Sequence, residues 1–226
     1  MHSTLSDFLA ASDLDVLLNA REAIETLGAK DVRALGELVQ SWGDDQAMAN
    51  LLMYPELIPD AHRTATLVEG LSGARGGYAV LAATIGLSKD TDGADEAPSI
   101  AERLLELVND PQTPRVTMMR AAIALDAYAK FLDPAEFVTA LSTSDEGIGQ
   151  NVLAVAVRTW GPTATVAAAR TAATRGVLDG AILAEVERRL DDAGLSEVDE
   201  PIRHGRIAQM LLPYVPDRRE WTDDLA

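Results

Sequence analysis

Across 226 residues the chain carries 47% apolar, 24% charged and only 4% aromatic side chains, with 36 acids against 19 bases and a formal charge of −17. No cysteine is present, which excludes disulfides, thiolate catalysis and cysteine-type zinc sites. The charge repels nucleic-acid phosphates and anionic membranes, and no run of about eighteen uninterrupted apolar residues occurs. The amino terminus also lacks the basic-then-apolar order of a signal peptide, so a cytoplasmic protein is expected.

Alanine and leucine dominate and runs of β-branched residues are rare, which favours helix over strand. Ser3 to Gly28 holds one or two helices, with apolar positions at Leu14, Leu17, Leu18 and Ile24. Asp31 can cap the next, which stops at Trp42-Gly43. A short helix runs from Gln46 to Tyr54, and Pro55 and Pro59 make the following connection irregular. Asp60 caps a helix through Leu71; glycines 73, 76 and 77 form a turn; Tyr78 to Leu87 is another apolar helix. The segment 88–97, SKDTDGADEA, is the most polar loop of the chain.

Pro98 to Phe131 reads as two helices joined by the turn Asp110-Pro111-Gln112-Thr113-Pro114. Ser99 and Glu102 have capping-box spacing at the start of the first. The second is apolar on nearly every side from Met118 on, so neighbours are expected to cover it on several sides. Asp133-Pro134-Ala135-Glu136 places an N-cap, an N1 proline and an N3 glutamate in order, and opens a short helix to Leu141. Further helices are expected over Gly149–Trp160, Thr163–Thr174 after the Gly161-Pro162 break, Leu178–Ala193 and Ser196–Leu212. The whole is an all-α train of about a dozen helices, one domain over 1–213 with a sub-boundary at 88–97, followed by a polar tail, 214–226. Helix pairs starting near Pro98, Pro134, Pro162 and Ser196 have the spacing of a helical-hairpin solenoid.

The segment Asp110 to Leu125, an Asp-Pro turn followed by Arg120-Ala121-Ala122-Ile123-Ala124-Leu125, resembles the second helix of a HEAT repeat, and Asn151 to Gly161 is a weaker echo. The resemblance covers Pro98 to Ala193. It implies a HEAT-like superhelix, with Asp110 pairing Arg115 or Arg120 as the family's turn aspartate and helix arginine do.

Chemistry-bearing residues are sparse. His2, His62 and His204 stand far apart and have no ligand spacing. Placing Gly93 at the sixth position of a calcium loop puts Ser99 at the twelfth, where a bidentate glutamate is needed. Gly73-Ala74-Arg75-Gly76-Gly77 could bring Arg75 and free N–H groups to an anion, although a turn needing positive φ explains the glycines. Arg203, His204 and Arg206, with Arg188 and Arg189 of the preceding helix, form a basic knot that could receive an anion or acidic peptide, or pair with Glu197, Asp199 and Glu200. Asp126 stands four residues before Lys130, the spacing of a helical ion pair. Trp221 in the tail either covers the last helix or anchors a partner.

No catalytic, metal or cofactor residues are assigned. The expected function is a non-catalytic protein-binding scaffold for a basic or neutral protein, with neither nucleic acid nor membrane as partner. Two alternatives stand beside it. One is an acidic inhibitor or immunity-type protein that blocks a basic active site, which requires carboxylates gathered on one face. The other is a HEAT-like DNA glycosylase recruiting Asp126 and Trp160, which the negative charge opposes.

Overall fold

The computed structural model describes residues 45–55, 58, 60–73, 76–88, 96–143 and 145–201. Among them are nine α-helices and no strand. About a dozen helices were expected, and the segments Ser3–Gly28 and Asp31–Trp42 of that count lie outside the described residues. The chain divides into two compact units, Met1–Glu96 and Ala97–Ala226, the boundary falling at the end of the acidic segment.

The described part of the first unit holds α1 (Asp45–Leu52), α2 (Asp60–Leu71) and α3 (Gly77–Leu87). α3 packs on both of the others. Its sequence, GYAVLAATIGL, contains no charge, and Ala79 to Thr84, Gly86 and Leu87 are all buried, as a helix apolar on every side must be. The turn before it uses positive φ at Gly73 (79°) and Gly76 (89°), which only glycine adopts without strain. Arg63 closes the proline-bearing connection before α2, donating from Nε to the Pro55 carbonyl at 2.8 Å and from Nη2 to that of Ile58 at 3.1 Å.

The second unit opens with α4 (Ala97–Asn109) and α5 (Arg115–Tyr128). α4 begins at Ala97, so Ser99 lies inside its first turn and the expected capping box with Glu102 does not form. Pro98 is accommodated there because the first-turn N–H groups have no helical acceptor. Asp110 closes the turn between the two helices: its Oδ1 accepts from the Gln112 N–H at 2.9 Å and its carbonyl from Thr113 at 3.0 Å. The bonds described for Asp110 are those of its own turn. Arg115 donates to Asp145 at 2.5 Å. Arg120 is carried into the packed face of α5, where burial brings its pKa down to about 10.

A 3-10 turn, Ala129–Phe131, ends α5 and leads to the four-residue α6 (Pro134–Phe137), which runs into a second 3-10 segment, Val138–Ser142. The Asp133 cap is as expected, Oδ1 accepting from Ala135 at 2.7 Å and Glu136 at 3.3 Å. Tightening at Ala129 moves Lys130 off the i+4 position, so it does not pair with Asp126. Its ammonium lies 5.0 Å from the Phe131 ring centroid, and Asp126 accepts from Arg158 Nε at 2.9 Å.

α7 (Glu146–Trp160) starts three residues before the expected Gly149, because Asp145 caps it through a 3.1 Å bond from the Ile148 N–H. Residues 151–157 are buried without interruption, and α7 touches α5, α6, both 3-10 segments and the next helix. The helix covered on every side is thus α7, not α5. Gly161, at φ 90°, turns the chain through 119° into α8 (Pro162–Thr174). A Cβ at Gly161 would stand 2.8 Å from the Asp199 carbonyl. Asp179 caps α9 (Gly180–Asp192) through the Ala181 N–H at 2.7 Å.

Ser196 does not start a helix. Residues 195–201 form turns and irregular chain, with the Val198 carbonyl accepting from the Thr163 N–H at 3.2 Å and from its hydroxyl at 3.1 Å. The remainder of the expected Ser196–Leu212 helix lies outside the described residues.

Candidate functional site

Of the residues singled out from the sequence, Arg75, Arg203, His204, Arg206 and Trp221 lie outside the described residues. Arg188 and Arg189 lie near the end of α9, and the bonds described for them go to carboxylates of their own helix. Arg188 grips Glu185 with Nε at 2.8 Å and Nη2 at 2.7 Å, and Asp192 with Nη1 at 2.5 Å. Arg189 Nε donates to Glu185 Oε1 at 2.6 Å. On the side facing α8, Glu187 accepts from Arg170 at 2.8 Å. The anticipated network of Arg203, His204 and Arg206 with Glu197, Asp199 and Glu200 has its basic members outside the described residues, while Arg188 and Arg189 are bonded to Glu185 and Asp192. The helical spacings of three and four residues explain these bonds.

The hydrogen bonds from Arg188, and then from Arg189, hold the Glu185 carboxyl well below the usual range, at about 2. A carboxylate so depressed contributes stability above its unfolded pKa and loses it as pH falls through the folded one. Its side chain is 41% exposed, so solvent screens the pair and Glu185→Gln is expected to cost less than about 1 kcal/mol. In urea titrations the gap between the two proteins should hold from neutrality to about pH 5 and be closed by about pH 2. A gap that widens on acidification would contradict this account.

Two of the concavities in the second unit bear on the candidate site, a further one of about 450 Å³ lying between α8 and α9 beside Arg170, Glu187 and Arg188. The first, about 280 Å³, lies between α7 and α9 over an apolar floor of Leu141, Leu153, Ile182 and Val186. Asp145, Glu185 and Arg189 stand at its edge. Burial pushes the Asp145 carboxyl up, but the bond from Arg115 and the backbone N–H of Ile148 outweigh it and hold it lowered. Each of these edge charges already faces an opposite one.

The second is a broader groove of about 740 Å³ between α4 and α6, completed by Arg175 and Val177. Glu102, Glu106, Asp110 and Glu136 line it above Leu105, Leu132 and Ala135. The sequence did signal part of it: Glu102, Glu106 and Asp110 recur every fourth residue, one stripe of a helix. Glu136 and Val177 join that stripe only through the fold.

Further candidates lie elsewhere among the described residues. Trp160 meets Phe137 edge-on with ring centroids 5.1 Å apart, Asp126 is bonded to Arg158, and the His62 carbonyl accepts from the Thr66 hydroxyl. Among the described residues no three His, Asp or Glu side chains gather as a metal would need, and no single helix is long and apolar enough to cross a membrane. No protein-family model, curated protein or solved structure matches the chain.

Proposed function

We propose that residues 97–192 are a stack of three HEAT-like helical hairpins, and that the protein is a non-catalytic scaffold for a basic or neutral protein partner. The observation that carries this reading is the order of packing. α4, the 134–142 segment and α8 touch in series, and each also touches the helix that follows it, α5, α7 and α9 respectively, while α5 lies against α7. Three side-chain bonds join the first hairpin to the second. Asn109 donates to Thr139, 30 residues on; Arg115 to Asp145, 30 on; Arg158 to Asp126, 32 back. Stacked hairpins that bury a continuous core leave long open faces, and such faces serve macromolecular contact.

The negative charge sets the chemistry of the partner. Binding to the immobilised chain should weaken at least about tenfold as salt rises from about 50 mM toward about 1 M, because a Debye length of a few ångströms screens attraction between exposed charges. Calorimetric titration of a captured protein at several salt concentrations is the test. An affinity indifferent to salt across that range would overturn the electrostatic half of the reading. The inhibitor alternative is favoured by the gathering of Glu102, Glu106, Asp110 and Glu136 around one groove. A captured enzyme that loses activity on binding would select it over a plain scaffold.

A further inference from the structure

The groove between α4 and α6 combines a row of carboxylates with an exposed apolar edge. Glu102 and Glu106 lie one turn apart on α4, and Asp110 prolongs their row, its N–H still bonded to the Glu106 carbonyl at 2.9 Å. Like charges four residues apart repel and weaken the helix that carries them. Glu136 faces the same space from α6, and among the described lining residues Arg175 brings the one positive charge. Arg103 binds Glu106 at 2.7 Å but is not among the lining residues. Below the carboxylates lie the edges of Leu105, Leu132 and Ala135, and beside them Val177 is 54% exposed. Few large apolar side chains of the described chain stand so open, Phe131 and Tyr78 being the others. The walls are tied by the bond from Asn109 Nδ2 to Thr139 Oγ1 at 3.2 Å, so the groove exists before anything enters it.

A cation alone would satisfy the carboxylates and leave Val177 wet. An apolar segment alone would bring no counter-charge to the row. Nucleic acid and anionic lipid are repelled by it. Resting on the protein-binding reading above, we propose that this groove is the docking face, and that its occupant is a short basic segment of the partner in which an apolar side chain is flanked by lysine or arginine. The apolar side chain covers Val177 and Leu132 while its neighbours reach Glu102, Glu106 and Glu136.

The test uses the full chain and a labelled peptide, Lys-Arg-Leu-Lys-Lys-Val-Arg-Lys, followed by fluorescence anisotropy and by amide chemical shifts. Binding is expected at low salt, with shift changes confined to 102–110, 132–139 and 175–177. The pair Glu102→Lys with Glu136→Lys should weaken it at least about tenfold, whereas Glu197→Lys with Glu200→Lys, the same change in net charge on exposed residues outside the groove, should leave it nearly unchanged. Val177→Ser should weaken this peptide but not one whose Leu and Val are replaced by Ser. Equal losses from both charge pairs would show that only the overall charge attracts the peptide, and would overturn the proposal. So would shift changes elsewhere on the chain. If a captured partner binds and its footprint avoids the groove, the docking face is wrong while the scaffold reading stands. If neither peptide nor partner binds, both fall.

Discussion

Phe137→Ala is expected to cost about 3–5 kcal/mol of unfolding free energy, the range for emptying a fully buried aromatic site. Phe137 is 0% exposed and meets the Trp160 ring at an interplanar angle of 70°, so truncation removes both the burial and the edge-to-face contact. The loss falls where it matters most, because α6 is only four residues long and has no helical stability of its own to fall back on. Urea unfolding followed by circular dichroism measures it. Phe137→Leu, which keeps most of the volume, should cost no more than about 1.5 kcal/mol. Phe131→Ser, at a ring 41% exposed, should stay within about 0.5 kcal/mol. A loss below about 1 kcal/mol for Phe137→Ala would mean that α6 is not docked on α7 as described.

Phe131 and Phe137 also mark how far the sequence could be read. Both are phenylalanines beside a short helix, and nothing in the linear pattern says which is buried. What the pattern did carry was punctuation. Asp133-Pro134 and Gly161-Pro162 bound their helices as expected, because a carboxylate accepting from the first turn and a proline with no N–H to lose act through local geometry alone. Gly147 and Gly149 hid the start of α7 for the converse reason. The expected start was Gly149, yet the Asp145 cap and the burial of Ile148 (0% exposed) carry the helix through both glycines. Which helix is covered on all sides met the same limit: α5 and α7 both mix alanine with β-branched residues, and only the neighbours that pack on them decide.

The candidate site divides along the same line. The grip of Arg188 and Arg189 on Glu185 lies within one helical turn and was open to inspection. The link from Asp126 to Arg158 spans 32 residues and depended on stacking that the sequence could suggest but not register. The acidic row at 102, 106 and 110 was visible as a stripe, whereas its becoming one wall of a groove with Glu136 and Val177 required the fold.

In the first unit the decisive residue is the smallest. Gly86→Ala inside α3 should on helix propensity alone stabilise the chain by about 1 kcal/mol. The opposite is expected, a loss of about 2–3 kcal/mol, because a Cβ there would stand 2.2 Å from the Leu52 carbonyl oxygen and 2.7 Å from Leu67 Cδ2. A side chain such as Leu67 can rotate away, but a carbonyl cannot without shifting the end of α1. Gly70 makes a milder version of the same approach, its Cβ position 2.6 Å from the flexible tip of Leu52, so Gly70→Ala should cost less. Gly77→Ala at the start of α3, where nothing lies within 4 Å, should be neutral or slightly stabilising. Urea midpoints with unchanged slopes would compare the three directly. Stabilisation by Gly86→Ala would mean that α1 and α3 do not meet backbone to backbone. Contact at that distance is what lets the uncharged eleven-residue α3 pack closely on the described helices beside it, eight and twelve residues long.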